Sequence, residues 1–216
     1  MSESSLAPSD LARISDPATR GLAALGHVRS FRSNAVVISE GDTSEGMHII
    51  LAGRVKVFVS NADGEEMVLC FYGPGEYFGE MSIDGGVRSA SVITMEPTRC
   101  AVIARTAIRA AIAHDPEFGL RLIEQLIRRT RVATQNIRQL ALFDVYGRIV
   151  QLFNSLAVDR DGVRVVPEKL TQQDIASRVG ASRDMVSRIL KELVEGGYIG
   201  IQSKIITVRK KLPARR

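Results

Sequence analysis

The sequence predicts an α+β chain: an N-terminal antiparallel β barrel or sandwich, one long helix, and a compact, mostly helical C-terminal region. Three observations carry this reading. Short runs of β-branched or alternating residues, punctuated by glycine, fill the stretch from about Ser33 to Ala104. From Pro116 to about Asp144 no glycine follows Gly119, no further proline occurs, and apolar residues recur every three or four positions. The charge also changes sign along the chain. Residues 1–115 carry 10 Lys and Arg against 14 Asp and Glu, and residues 116–216 carry 19 against 10, so the formal +5 balances a net −4 and a net +9. A basic second half, ending in Arg209-Lys210-Lys211 and Arg215-Arg216, suits contact with a polyanion.

The 216 residues suffice for one large or two small domains, and 45% hydrophobic with 25% charged residues is ordinary for a folded chain. No apolar run approaches the roughly 20 residues of a membrane span. Met1 to Asp16 is polar and lacks the basic start and apolar core of a secretory signal, so a cytoplasmic protein is expected. Cys70 and Cys100 each lie in apolar surroundings and are expected to be buried, reduced thiols. His27, His48 and His114 are far apart, and no metal site is expected.

In order, strands are expected at Ala35–Ser39, Met47–Ala52, Arg54–Ser60, Glu66–Phe71, Ala90–Thr94 and Arg99–Ile103. Asn61-Ala62-Asp63-Gly64 is a hairpin turn signal, and Gly41-Asp42, Gly46, Gly53 and Gly73-Pro74-Gly75 mark further corners. Between two of these strands lies Phe78-Gly79-Glu80-Met81-Ser82-Ile83-Asp84-Gly85-Gly86-Val87-Arg88-Ser89-Ala90. A fixed carboxylate accepts hydrogen bonds from sugar hydroxyls, and a guanidinium with a neighbouring hydroxyl holds a phosphate. Glycines let backbone N–H groups approach an anion. The run has the parts of a ribose-phosphate site; taken alone it also reads as a surface hairpin loop.

Asp115 and Pro116 suit the start of a helix of about 25 residues, roughly 38 Å long. Leu122, Leu126, Thr130, Ala133, Ile137 and Leu140 form its apolar seam, with Arg121, Arg128, Arg131 and Arg138 off it. A seam this narrow predicts dimerisation, the alternative being a helix packed on its own barrel. Phe143-Asp144-Val145-Tyr146-Gly147 then interrupts the pattern, and Tyr146–Ala157, an Asp159–Gly162 turn, Thr171–Val179, Ser182–Glu195 and two short strands follow.

Thr171 can cap a helix whose buried side holds Ile175, Ala176 and Val179. Gly180 ends it, and Ser182 caps a second helix with Val186, Ile189, Leu190 and Leu193 inward. Arg183, Asp184, Ser187 and Arg188 face outward, the layout of a helix-turn-helix with its second helix placed for the major groove. Arg183 and Arg188 suit guanine, Asp184 suits cytosine N4, and Ser187 suits a base or phosphate. Thr171, Gln172, Ser182 and Lys191 are added as flanking contacts. Lys204, between strands around Ile199–Ile201 and Ile205–Val208, sits in a wing that touches phosphate.

The order of β region, glycine-rich run, long helix and winged helix-turn-helix resembles the Crp/Fnr family of bacterial transcription regulators, and within it the cyclic AMP-responsive branch. The resemblance covers about Leu22 to Val208 and is sharpest at Phe78-Gly79-Glu80…Arg88-Ser89-Ala90, Leu140-Ala141-Leu142-Phe143-Asp144-Val145-Tyr146-Gly147-Arg148 and Gly180–Arg188. It implies a jelly-roll-like cyclic nucleotide-binding β-roll in residues 1–115, a dimerisation helix and hinge in 116–145, and a winged helix-turn-helix in 146–216. It also implies that Glu80 holds the ribose 2′-hydroxyl. Arg88 and Ser89 would hold the cyclic phosphate, with backbone near Gly79, Met81 and Ala90, and Arg129 would reach toward Glu80. The family's two adenine-contacting hydroxyl residues fall at Ala133 and Thr134, of which only Thr134 carries a hydroxyl. The recognition helix opens Arg183-Asp184 where family members reading TGTGA-like half-sites have Arg-Glu.

The expectation is a homodimeric, non-enzymatic regulator with cyclic AMP as allosteric effector and no prosthetic group. Its partners would be palindromic double-stranded DNA and RNA polymerase, with no membrane. Cyclic di-GMP, served by Arg128, Arg129 and Arg131, is the rival effector. A vestigial pocket and a cyclic nucleotide hydrolase are the remaining alternatives, the last lacking a nucleophile–base–orienter set.

Overall fold

The structure, a computed structural model, describes residues 3–4, 6–43, 46–160 and 162–212, so the terminal Arg215-Arg216 pair lies outside the described residues. It divides into two compact units, Met1–Val59 with Leu69–Arg129, and Ser60–Val68 with Thr130–Arg216.

The chain begins with β1 (Glu3–Ser4), α1 (Pro8–Leu11), α2 (Pro17–Ala23) and β2 (His27–Phe31). There follow β3 (Val36–Ile38), β4 (Met47–Ala52), β5 (Val55–Ser60), β6 (Glu66–Tyr72), β7 (Tyr77–Phe78), β8 (Ser91–Thr94) and β9 (Thr98–Ile103). They form one sheet in the order β1-β2-β9-β4-β7 and another in the order β3-β8-β5-β6. The six expected strands are present within one or two residues of their expected ends. The sequence reading missed β1, β2, the two-residue β7, and helices α1 and α2.

β4 shows why the fold closes. Met47, Ile49 and Leu51 enter one core with Leu22, Ala101, Ile103 and Ile108. Ile50 points the other way, into the core between the sheets, with Ile38, Val57, Phe78, Val92 and Cys100. A strand buried on both faces reads as a continuous apolar run, and Met47 to Leu51 is that run apart from His48. His48 pairs in register with Phe78, and its ring stacks on that of Phe78 at 4.9 Å. Asp10 anchors the N-terminal segment by a bidentate pair with Arg99, at 2.6 and 2.9 Å. The expected hairpin turn forms between β5 and β6, where the Asn61 side chain accepts from Asp63 and Glu65 N–H and Gly64 takes φ 76°.

α3 (Arg105–His114) and α4 (Pro116–Leu142) follow. The sequence reading gave no separate helix before Asp115; the half-extended Asp115 backbone ends α3, and its carboxylate pairs with Arg121 rather than capping α4. The expected seam of α4 divides. Leu122 is buried with Phe118 in the helix-side core of the β unit, so it is a core residue, not part of an open seam. Leu126, Thr130, Ala133, Ile137 and Leu140 are exposed, and so are Leu120, Ile123 and Ile127, which the seam omitted. The expected seam therefore stays open except at Leu122, which with Phe118 is drawn inward by the β-roll's core, and the exposed apolar surface extends to Leu120, Ile123 and Ile127.

In the second unit come α5 (Val145–Leu156), β10 (Val158–Arg160), β11 (Val163–Val166), α6 (Gln172–Val179), α7 (Arg183–Glu195), β12 (Ile199–Gln202) and β13 (Ile205–Val208). β10-β11-β13-β12 make a sheet, where the sequence showed only the turn at Asp159–Gly162 and the last two strands. Tyr146, Ile149 and Phe153 of α5, Ile175 and Val179 of α6, and Val186, Ile189, Leu190 and Leu193 of α7 share one core with Ile199 and Ile206. Asp144 caps α5 by accepting from Gly147 N–H at 2.8 Å.

Burial, reinforced by Arg88, Arg29 and His27, holds the His48 pKa down at about 3 against an ordinary 6.5. The unfolded chain therefore takes up a proton that the folded one refuses. Stability contributed by neutral His48 is fully present above about pH 6.5 and is lost progressively as pH falls toward 3. His48→Phe, which keeps a ring on Phe78, should flatten the fall in stability between pH 6.5 and 4 in urea titrations; an unaltered slope would contradict the assignment.

Candidate effector site and nucleic-acid interface

The glycine-rich run is built by one sharp turn. β7 ends at Phe78, Gly79 takes φ 81°, and residues Glu80–Asp84 coil into a short 3-10 helix. Only glycine fits at position 79, because a Cβ there would lie 2.7 Å from Arg88 Nη1 and 3.2 Å from the Gly46 carbonyl. The run then returns so that Arg88 N–H donates to Asp42 O and Gly41 N–H donates to Arg88 O, both at 2.8 Å.

This return sends the Arg88 side chain inward. It is 4% exposed, and its guanidinium donates to Gly79 O at 2.6 Å and Gly46 O at 2.8 Å. Burial pulls its pKa down, while Glu80 and Asp42 oppose that shift. Glu80 is also buried and accepts from Arg129 Nη1 at 2.5 Å. Arg129 Nη2 donates to Tyr77 O at 2.5 Å. The guanidinium lies 4.4 Å from the Tyr72 ring centroid and 4.8 Å from that of Tyr77. Burial works against the Arg129 charge, but Glu80, Tyr72 and Tyr77 outweigh it and raise its pKa.

Of the sequence-derived effector residues, Gly79, Glu80, Arg88 and Arg129 are thus brought together in the first unit. Met81 and Ser89 are exposed, with the Ser89 hydroxyl on the Met81 sulfur at 3.3 Å, and Ala90 packs against the core between the sheets. Ala133 and Thr134 are exposed on the part of α4 that belongs to the second unit, where the Thr134 hydroxyl donates to Thr130 O at 3.0 Å. Arg128 turns along its own helix to Gln125 and Glu124. Sequence reasoning missed Gly46, Tyr72 and Tyr77; the one available signal was an aromatic three residues before the acidic residue. Cys70 is half-buried and Cys100 buried, both as free thiols; burial pushes the Cys100 thiol up to about 12. Among the described residues no group of three or more His, Cys, Asp or Glu could hold a metal ion, and no helix is long and apolar enough to cross a membrane.

In the second unit, Thr171 and Asp174 make a reciprocal capping box on α6. Gly180 closes α6 in the left-handed conformation at φ 61°. Ser182 caps α7 by accepting from Met185 N–H. Arg148 of α5 donates to the carbonyls of Val179 and Gly180 and so holds the turn from behind. Arg183, Asp184, Arg188 and Lys191 are exposed on α7, Ser187 is half-buried beside them, and Thr171 and Gln172 are half-buried at the start of α6. Lys204 is exposed in the tight turn between β12 and β13, where it and Ser203 both take positive φ.

Residues 28–115 match the model of a cyclic nucleotide-binding domain, and residues 147–212 that of a Crp-like helix-turn-helix domain. The chain is 34% identical over 183 residues, 82% of each protein, to a CRP-like cAMP-activated global transcriptional regulator of Mycobacterium tuberculosis. It is 32% identical over 201 residues to the cAMP-activated global transcriptional regulator CRP of Pasteurella multocida, covering 89% of this chain and 95% of that one. Among solved structures, the c-di-GMP responsive global regulator CLP of Xanthomonas campestris superposes with a TM-score of 0.79 at 25% identity, over 90% of this chain and all of that one. The fold, the buried Arg88–Glu80–Arg129 group and these relationships together show that the chain belongs to the CRP family of transcription regulators, with a cyclic nucleotide-binding domain and a DNA-binding helix-turn-helix.

Proposed function

We propose that the chain is a homodimeric regulator whose affinity for a palindromic operator is set by cyclic AMP bound in the β-roll. The carrying observation is the charge balance of the site. Glu80 and Arg129 neutralise each other at 2.5 Å, and Arg88 is a second buried cation of that group, its guanidinium held by the Gly79 and Gly46 carbonyls. One such positive charge beside a fixed carboxylate suits one phosphodiester attached to a ribose with a free 2′-hydroxyl. Arg88 and the Ser89 hydroxyl take the phosphate, and Glu80 takes the 2′-hydroxyl. The weak Ser89 contact with sulfur is readily exchanged for a phosphate oxygen.

A cyclic dinucleotide carries two phosphates and calls for a second cation. Arg128 lies along its own helix and Arg129 is paired with Glu80, which leaves Arg131, exposed on α4, for a second phosphate; this favours the mononucleotide over cyclic di-GMP, to which CLP responds. Cyclic AMP is the effector in the descriptions of the Mycobacterium and Pasteurella relatives. Pairing of Glu80 with a guanidinium also disfavours its use as a general base, so the site is read as binding rather than hydrolytic. On DNA, Arg183 and Arg188 read guanines, Asp184 faces cytosine, and Thr171, Gln172, Ser182, Ser187, Lys191 and Lys204 contact the backbone or flanking bases. The open apolar stripe of α4 supplies the dimer seam, and RNA polymerase is the partner through which transcription is affected.

Isothermal titration with cyclic AMP, cyclic GMP and cyclic di-GMP tests the effector. Cyclic AMP should bind once per chain and tightest of the three; tighter cyclic di-GMP binding, or none of the three below about millimolar, would contradict the proposal. Arg88→Ala should weaken cyclic AMP binding by about a hundredfold, as expected for losing charge-assisted bonds to a buried phosphate, while circular dichroism stays unchanged. Arg183→Ala should weaken operator binding roughly tenfold to a hundredfold and leave a salt-sensitive residue of non-specific binding; retained specificity would remove α7 from the recognition role.

A further inference from the structure

The Arg129 guanidinium is held on more sides than an ion pair requires. Glu80 and the Tyr77 carbonyl accept from its two terminal nitrogens, both at 2.5 Å. The rings of Tyr72 and Tyr77 lie within 4.8 Å of its central carbon. Nε is buried and has no hydrogen-bond partner. Tyr72 and Cys70 stand two positions apart on β6, on the same face of the strand. Stacking of a flat cation on aromatic π-faces suits the planar guanidinium. An arginine free to choose its rotamer would not leave a buried N–H without an acceptor; the rings and Glu80 together select the conformer that does.

We infer that Tyr72, with Tyr77, is a positioning residue of the effector site. The two rings hold Arg129 against Glu80 in advance, so that the carboxylate meets the ribose already oriented by a cation of α4. This rests on the reading of Glu80 as the ribose-binding group. Preorganisation of this kind raises affinity by removing the ordering cost at the moment of binding. It also ties effector affinity to the placement of α4, because the cation being clamped is carried by that helix. Tyr72 touches Arg129 and acts through it, so the hydroxyl contributes little and the ring contributes most.

The test is a double-mutant cycle read by titration with cyclic AMP, using full-length protein. Tyr72→Phe keeps the ring and should bind within about twofold of the parent. Tyr72→Leu should weaken binding roughly fivefold to thirtyfold, the range of a desolvated cation–π contact. In an Arg129→Met background the same Tyr72→Leu change should have less than about a twofold further effect, since the group it positions is gone. Loss of the same size in both backgrounds would show a general packing role and overturn the inference. So would parental affinity in Tyr72→Leu, or a Tyr72→Phe protein as weak as Tyr72→Leu. Failure of the unsubstituted protein to bind cyclic AMP overturns the effector assignment as well, whereas normal parental binding with an indifferent Tyr72 overturns this inference alone.

Discussion

The ion pair between Glu80 and Arg129 is the interaction on which the effector site depends. Glu80 is a buried carboxylate at the first position after a left-handed glycine turn, and such a charge is costly without a partner. Its partner comes from α4, 49 residues later. The carboxylate is therefore paired and aimed by a helix rather than by its own loop. A ligand hydroxyl that contacts Glu80 shares the carboxylate with Arg129 of α4. A ligand that binds better to one setting of that helix shifts its population toward that setting.

Arg88 obeys a different constraint. Its guanidinium donates to two backbone carbonyls, Gly46 and Gly79, which fix it in place. Both acceptors are glycines, and the turn at Gly79 has no room for a Cβ beside the guanidinium. The register pair His48↔Phe78 and their ring stack hold together the strand ends from which those carbonyls project. Arg88 and Glu80 are thus organised by one antiparallel corner, β4 against β7.

Much of this was legible in the sequence, for identifiable reasons. The helix-turn-helix was read residue by residue because its capping residues, its αL glycine and its inward face are local signals, and all of them appear where expected. The central strands were legible because burial on both faces leaves an apolar run. β2 and β7 were not, since β7 is two residues long and β2, His27–Phe31, has a single fully buried residue. At one position of the α4 stripe, Leu122, the expectation differed from the structure, because periodicity cannot tell a residue drawn into the β-roll core from one left open, such as Ile123. Tyr72 and Tyr77 were not legible as site residues beyond the aromatic three positions before Glu80, because their role exists only through an arginine about 50 positions away. Where the partner is distant in sequence and the contact is a ring face, no motif announces it.

The central claim is that the β-roll site controls the DNA-reading unit. Fluorescence anisotropy of a labelled palindromic operator, titrated with the protein in the presence and absence of saturating cyclic AMP at fixed salt, tests it most directly. The account predicts that the nucleotide tightens operator binding by tenfold or more, a coupling within the usual allosteric range, and that non-specific DNA gains far less. Equal operator affinity with and without bound nucleotide would contradict it.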